Sequence, residues 1–506
     1  MSERIAGGLS AASSASTAGN IALGGLAFAL PFLAYASNIL HVFYIRGSSF
    51  LDAGWTAYLI HDADLHLHNP PFIGGSFFTN HISPLYLLTS AIGHLLPLTR
   101  IEFYAAFVGI AHALPALAVF WLLASGYGMT GLARGAAAAA LGALFSFDGL
   151  ALAIAKFPHF TMFLVGTAMM FLAALVLRRF RVALVFFLLC LITREDAGFH
   201  LFALLSLALI LEWWRGSPVA ALKPMAIFAT AALLYSIATV GFQLIHPSEQ
   251  SLLVPEYLGQ PLFAGFSAAA MAANLAGWAA YRQYVVVPAL GAVGWAILRR
   301  NPQIVLGYAA FVPWALMQLG AVKPLIAALA SYYAFPFMLA GFWPLIGLYM
   351  QRRHDGTARG AVEPVVGFAV LTALSFVPSP LQHNPTHMRL PADFFAPPSF
   401  ARQTATDQAL IRLAGAKELG TEVVDQSVLA LVPELYPPPN VLGSQQQAAP
   451  DSIIYFADGF ESAQARAVAA AAGLDRSYRI AGTAIRVASR HILSGVAGLV
   501  ELSPSR

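Results

Sequence analysis

One cysteine, Cys190, stands in a chain of 506 residues. It lies inside an apolar run, so an intrachain disulfide and a thiolate metal cluster are both excluded, and the residue reads as packed core. Charge is scarce too. Asp, Glu, Lys and Arg make up 10% of the residues, against about 25% in soluble globular domains. The net charge of +4 comes from arginines in short clusters rather than from one basic face, so no nucleic-acid partner is expected. Internal repeats and heptads are absent, and residues 380–506 hold neither a Gly-rich phosphate loop nor a paired metal-ligand motif.

Apolar sequence is what the chain has in excess, at 58% with a mean hydropathy of +0.69. Repeated apolar stretches of roughly 18 residues or more mean membrane helices, because about 20 residues span the hydrocarbon. Candidate spans are 20–45, 101–125, 134–149, 158–177, 182–193, 198–214, 224–245, 283–298, 303–320, 325–350 and 361–379, with a further short apolar stretch at 83–98. The fold class is an α-helical polytopic membrane protein with about eleven or twelve membrane helices. Residues 1–19, rich in Ser, Ala and Gly, are expected to be a disordered tail. Ala34-Tyr35-Ala36 resembles a signal-peptidase site, but the apolar sequence continues to Ile45, too long for a signal core, so an uncleaved first helix is expected.

Orientation follows from the arginines. Placing Arg178-Arg179-Arg181, Arg215 with Lys223, Arg299-Arg300 and Arg352-Arg353 in the cytoplasm puts 45–100, 150–157, 194–197, 246–282, 321–324 and everything beyond 380 outside. The location implied is the cytoplasmic (inner) membrane, crossed many times. A full crossing at 83–98 would invert every later loop, so that stretch reads as a broken or re-entrant helix; the alternative is a crossing compensated elsewhere. The domains are then the tail 1–19, a transmembrane domain 20–379 with a first external loop 45–100, and an external, periplasmic domain 380–506. The last is more polar and carries a proline run at Pro437-Pro438-Pro439. It reads as small α/β: helix Asp407–Leu419, strands Glu422–Asp425 and Ser452–Phe456, helix Glu461–Ala472, and a hairpin of Tyr478–Ile480 with Thr483–Val487.

Residues fit for chemistry collect in the external loops. Arg46–Pro84 holds four of the chain's 14 histidines. After Ser48-Ser49-Phe50, a helix placing Leu51, Trp55 and Leu59 on one face would lie at the interface with Asp52 at its start. Asp52 is there either a helix cap or a functional carboxylate. Asp62, Asp64, His66 and His68 have the residue types of a divalent metal site, and also those of a solvated loop. His81 precedes the apolar 83–98, at the membrane surface. Thr193-Arg194-Glu195-Asp196 sets adjacent ionisable residues at the edge of hydrocarbon, which is costly and points to function, or to an Arg–carboxylate pair capping two helices. His159 and Lys156 can join that cluster, while His246, Glu249, Glu256 and Tyr257 are weaker candidates. Arg282 and Lys323 face outward against the positive-inside pattern and suit an anionic phosphate.

The blocks SFLDAGW, GGSFFTNHISPLYLL and ITREDAGFHLFAL resemble a family of bacterial and archaeal polytopic membrane proteins of unknown function. That family is similar to GT-C membrane glycosyltransferases such as protein mannosyltransferases and aminoarabinose transferases. The resemblance covers about residues 20–245. It implies a GT-C-like fold with a trailing outer domain, membrane lipid as partner, and a polyprenyl-phosphate-linked sugar donor at the outer face. It also implies Asp52 as catalytic base or metal ligand, inverting transfer, and Arg46, Arg194 or Arg282 beside the leaving phosphate, with His81, His159, Glu195 and Asp196 completing the substrate site. The GT-C acidic residue is often followed by a second acidic residue; here Ala53-Gly54 follow, which sets the dependence on a divalent metal cofactor apart from the family pattern. Readings from other classes are a transporter or flippase of lipid-linked substrates, which needs midplane charges and repeat symmetry, and a non-catalytic scaffold displaying 380–506.

Overall fold

The computed structural model describes residues 2–47, 51–156, 159–245, 253–355, 362–377, 393–436, 441–442, 449–493, 496 and 498–502. Ser48, Ser49, Phe50, His246, Glu249 and Pro437–Pro439 lie outside the described residues. In chain order the first helices are α1 (Ser2–His41), α2 (Leu51–Asp62), α3 (Leu85–Gly93), α4 (Arg100–Trp121), α5 (Leu132–Ser146) and α6 (Gly149–Ala155). There follow α7 (Thr161–Val176), α8 (Phe180–Leu191), α9 (Ala197–Trp214), α10 (Val219–Ile245), α11 (Ala268–Tyr281) and α12 (Gln283–Arg299). The next are α13 (Leu306–Ala310), α14 (Val312–Leu319), α15 (Pro324–Ala327), α16 (Pro336–His354) and α17 (Val362–Leu374). The C-terminal part holds α18 (Phe400–Ala414), α19 (Gln426–Leu431), α20 (Ser462–Ala471) and strands β1 (Glu422–Val424), β2 (Ser452–Phe456), β3 (Arg476–Ile480), β4 (Ile485–Ser489) and β5 (Leu499–Leu502).

Helix α1 runs back to Ser2, through the Ser/Ala segment expected as a disordered tail; alanine is the strongest helix former. Among the described residues, five helices are long and apolar enough to cross a membrane: Ala18–Arg46, Arg100–Gly126, Ala197–Trp214, Val219–Ile245 and Tyr332–His354. A sixth follows if α5 and α6, bent by 48° at their junction, form one broken span. Shorter apolar helices are α7, α8, α12 and α17. The count is below the eleven or twelve expected, and the stretch 303–320 shows why. It is divided into a 3-10 turn Pro302–Ile304, α13 and α14, where Pro313 opens the last. The stretch 83–98 contains only the nine-residue α3, about 14 Å long at 1.5 Å per residue and too short to cross alone.

The chain divides into two compact units. The first comprises Met1–Phe32, Thr79–Pro84 and Gly109–Leu390. Its core gathers apolar residues of α4, α7, α9 and α16, with Trp343 fully buried. Helix α10 keeps Ile227, Leu234, Ile237, Phe242 and Leu244 exposed, an apolar surface that hydrocarbon covers and water does not.

The second unit comprises Leu33–Phe78, Leu85–Val108 and Pro391–Arg506, so most of the first loop clusters with the C-terminal region. Its sheet has the order β1-β2-β4-β3-β5, with β1 parallel to β2 and the other pairs antiparallel. The expected strand at Ser452–Phe456 forms within its bounds, and the expected hairpin forms as β3 against β4. Helix α18 starts earlier than read because the Ser399 hydroxyl accepts the Arg402 N–H at its N-cap. Helix α2 does not lie free as an interfacial helix. Ala57, Leu59 and Ile60 are fully buried, and a Cβ on Gly54 would stand 2.3 Å from Ala430 Cα of α19. Only glycine admits that approach.

Candidate functional site

The loop between α8 and α9 carries Thr193-Arg194-Glu195-Asp196, and its position is set from α10. A Cβ on Gly198 would stand 2.0 Å from the Ala232 carbonyl oxygen, so glycine alone lets α9 and α10 approach there. The hydroxyls of Ser236 and Thr239 both donate to the Glu195 carbonyl, at 2.6 and 3.1 Å. Ser83 donates to the Thr193 carbonyl at 2.8 Å, which fixes the 79–84 segment against the same loop.

The side chains then sort into two pairs. Glu195 Oε1 is 2.8 Å from His81 Nδ1, and Oε2 accepts the Ile82 N–H at 3.1 Å. Arg194 meets Asp196 in a two-point fork, Nε donating to Oδ1 at 2.8 Å and a terminal N–H to Oδ2. His200, one helical turn on, places Nε2 3.6 Å from Asp196 Oδ2. The Arg194 guanidinium also lies 5.4 Å from the centroid of the Phe335 ring. Burial by itself would lower the Arg194 pKa, but the Asp196 and Glu195 carboxylates hold it above the ordinary value. Burial would raise Asp196; Arg194 and His200 instead draw it well below the ordinary carboxylate range. His159 stacks on Tyr332 with centroids 4.1 Å apart and hydrogen-bonds Thr161. Burial, then the neighbouring Arg194 and His81, push its pKa well below the ordinary imidazole value.

His81, Arg194, Glu195, Asp196 and His200 line a cavity of about 410 Å³, while His159 does not. Its lining joins polar Asn80, His81, Arg194, Glu195 and Asp196 with apolar Phe199, Val240, Phe311, Trp314 and Met317. Tyr257 also lines it. A lining of that mixed kind offers both charged and apolar contacts to a bound molecule.

Five of the expected residues, His81, His159, Arg194, Glu195 and Asp196, therefore belong to one neighbourhood of the first unit. The others do not join it there. Arg282 donates to the carbonyls of Ala328 and Leu329 and does not line the cavity. Arg46, in the second unit, is paired with Asp393. Asp52 is exposed in the first turn of α2 in the second unit. Asp62 departs from the expected metal set because its carboxylate is held by His61 at 2.7 Å and Arg100 at 2.5 Å. Glu256 is paired with Lys323. The reading of the sequence missed Asn80, His200, Gln243 and Trp314. His200 had a signal, since it stands four residues after Asp196 on an expected helix; Trp314 lay unmarked in an apolar run.

No protein-family model and no curated protein matches the chain. Among solved structures, the chain is similar to ArnT from Cupriavidus metallidurans bound to undecaprenyl phosphate. That likeness has 13% identity and a TM-score of 0.40, over 92% of this chain and 98% of that one. It is also similar to the Archaeoglobus fulgidus oligosaccharyltransferase tethered with an acceptor peptide, at 12% identity and a TM-score of 0.34, over 94% of this chain and 75% of that one.

Proposed function

We propose that this chain is a membrane glycosyltransferase of the GT-C kind, drawing its sugar from a polyprenyl-phosphate-linked donor at the outer face of the cytoplasmic membrane. The observation that carries the reading is the 410 Å³ cavity, whose lining includes both a buried arginine and aromatic side chains. A prenyl phosphate likewise joins an anion to oil. Arg194 offers five N–H donors in a rigid fork, of which Asp196 takes two. In the transfer, a bond forms between the acceptor oxygen and the anomeric carbon while the bond from that carbon to the phosphate oxygen breaks. The prenyl phosphate leaves with the electron pair, and its charge is stabilised by positioned cations such as Arg194. Asp52 is assigned the acceptor proton as general base. His81, held by Glu195, and His159, stacked on Tyr332, are positioning residues for the donor head. Arg46 and Arg282 are left out of this scheme because Asp393 engages the first and the backbone carbonyls of Tyr281, Ala328 and Leu329 engage the second. The C-terminal region and the first loop are assigned to the outer side.

The test is photo-crosslinking of a prenyl phosphate analogue to the full chain in nanodiscs, alongside sugar transfer by the same preparation. Capture at the cavity in wild type, lost in Arg194→Gln, with transfer lost in Asp52→Asn but capture kept, is the expected result. Equal capture by Arg194→Gln overturns the donor site, and unchanged transfer by Asp52→Asn overturns the assigned base.

A further inference from the structure

We propose that Asp64, His66 and His68, on the loop following α2, form a binding site for a divalent first-row transition metal ion. All three residues belong to the second unit. One ligand atom from each of the three side chains lies within 4.8 Å of the others, and all three residues are exposed. Ligands around a tetrahedral ion bound at about 2.0–2.2 Å stand roughly 3.3 Å apart. Binding would require the side chains to turn inward by that difference.

The backbone is held in place beneath them. Asp64 Oδ1 accepts the N–H groups of His66 and His68 at 3.1 and 3.0 Å, wrapping the loop around its own carboxylate. Leu67 between them is fully buried with φ of 47°, and its carbonyl accepts the Phe77 N–H at 2.8 Å. His68 bridges to Ser76, and the next residue, Asn69, accepts the Trp55 indole N–H and donates to the Gly74 carbonyl, both at 2.9 Å. With Leu67 anchored inward, its two neighbours are presented outward together, their rings 5.5 Å apart. Asp64 Oδ2 lies against His68 Nδ1, a side-chain contact that a bound ion would replace.

The donor set chooses the ion. Two imidazoles and one carboxylate suit Zn²⁺ and its neighbours, whereas Mg²⁺ and Ca²⁺ prefer all-oxygen sites. Three protein ligands leave a coordination position open to water or to a further donor. Asp62 is not part of the set, since His61 and Arg100 hold it.

The experiment is calorimetric titration of Zn²⁺ into the tag-free full chain in detergent, with Co²⁺ absorption reporting the ligand field. One ion per chain with micromolar dissociation is expected, with at least a tenfold loss in His66→Asn/His68→Asn and in Asp64→Asn, and no Mg²⁺ binding. The altered positions are exposed, and an unchanged melting midpoint of the metal-free variants checks that they fold. No Zn²⁺ uptake at about 100 μM, or uptake unchanged in the double variant, overturns the proposal.

Discussion

His81 Nδ1 stands 2.8 Å from Glu195 Oε1, across a separation of 114 positions in the chain. The other oxygen of the same carboxylate accepts the Ile82 N–H, so one buried acid clamps the 79–84 segment onto the loop between α8 and α9. Glu195→Gln turns one acceptor into a donor and is expected to cost about 1–3 kcal/mol. The melting midpoint of the detergent-purified chain should fall by several degrees, and further for Glu195→Ala; a wild-type midpoint for Glu195→Ala would refute the clamp.

Arg194 and Asp196 form a buried fork whose loss is asymmetric. Asp196→Ala strands a buried guanidinium and is expected to cost about 3–5 kcal/mol, while the apolar double variant Arg194→Met/Asp196→Leu should cost less than the single change. Arg194→Lys keeps the charge but loses the fork, and is expected to resemble a loss rather than a conservative change. A double-mutant cycle on thermal stability measures this; strictly additive costs would argue against the pair.

Gly198 is the backbone contact that seats the α8–α9 loop. Gly198→Ala drives a methyl into the Ala232 carbonyl and is expected to lower both stability and capture of the prenyl phosphate analogue. Gly277 in α11 has nothing within 4 Å of an added Cβ, so Gly277→Ala is the matched control. It should be neutral or stabilising by about 0.5–1 kcal/mol.

Glu422 in β1 has its pKa raised by burial to about 7. Between its ordinary value of 4.5 and about 7 the folded chain keeps a proton that the unfolded chain has released, so stability falls as pH rises through that window. Asp425, raised by burial to about 7, shares it. Glu422→Gln should therefore slow limited proteolysis of the C-terminal region of the full chain at about pH 8, with little effect near pH 5. Equal protection at both values would remove Glu422 as a cause.

Much of the candidate site was legible in the sequence. Arg194-Glu195-Asp196 and His81 stand out because ionisable groups at the edge of apolar runs are costly, and a chain this poor in charge makes each one conspicuous. The C-terminal strands were legible for a similar reason: Ser452–Phe456 is a short apolar run bounded by turn residues. The partners were not. Nothing local to Asp62 announces Arg100 or Glu434, and nothing near Arg46 announces Asp393, yet those contacts engage both side chains.

The sequence by itself determined that this chain carries several helices long and apolar enough to span a membrane, and which few polar residues interrupt the apolar runs. Hydropathy is additive along the chain, so it can be read without a fold. Only the tertiary structure decided that His81, His159 and Arg194–Asp196 share one neighbourhood, that the first loop clusters with the C-terminal sheet, and that Arg282 is committed to backbone carbonyls. Those outcomes depend on where helices meet, at contacts such as Gly198 against Ala232. The distances involved are set by close packing between residues far apart in sequence.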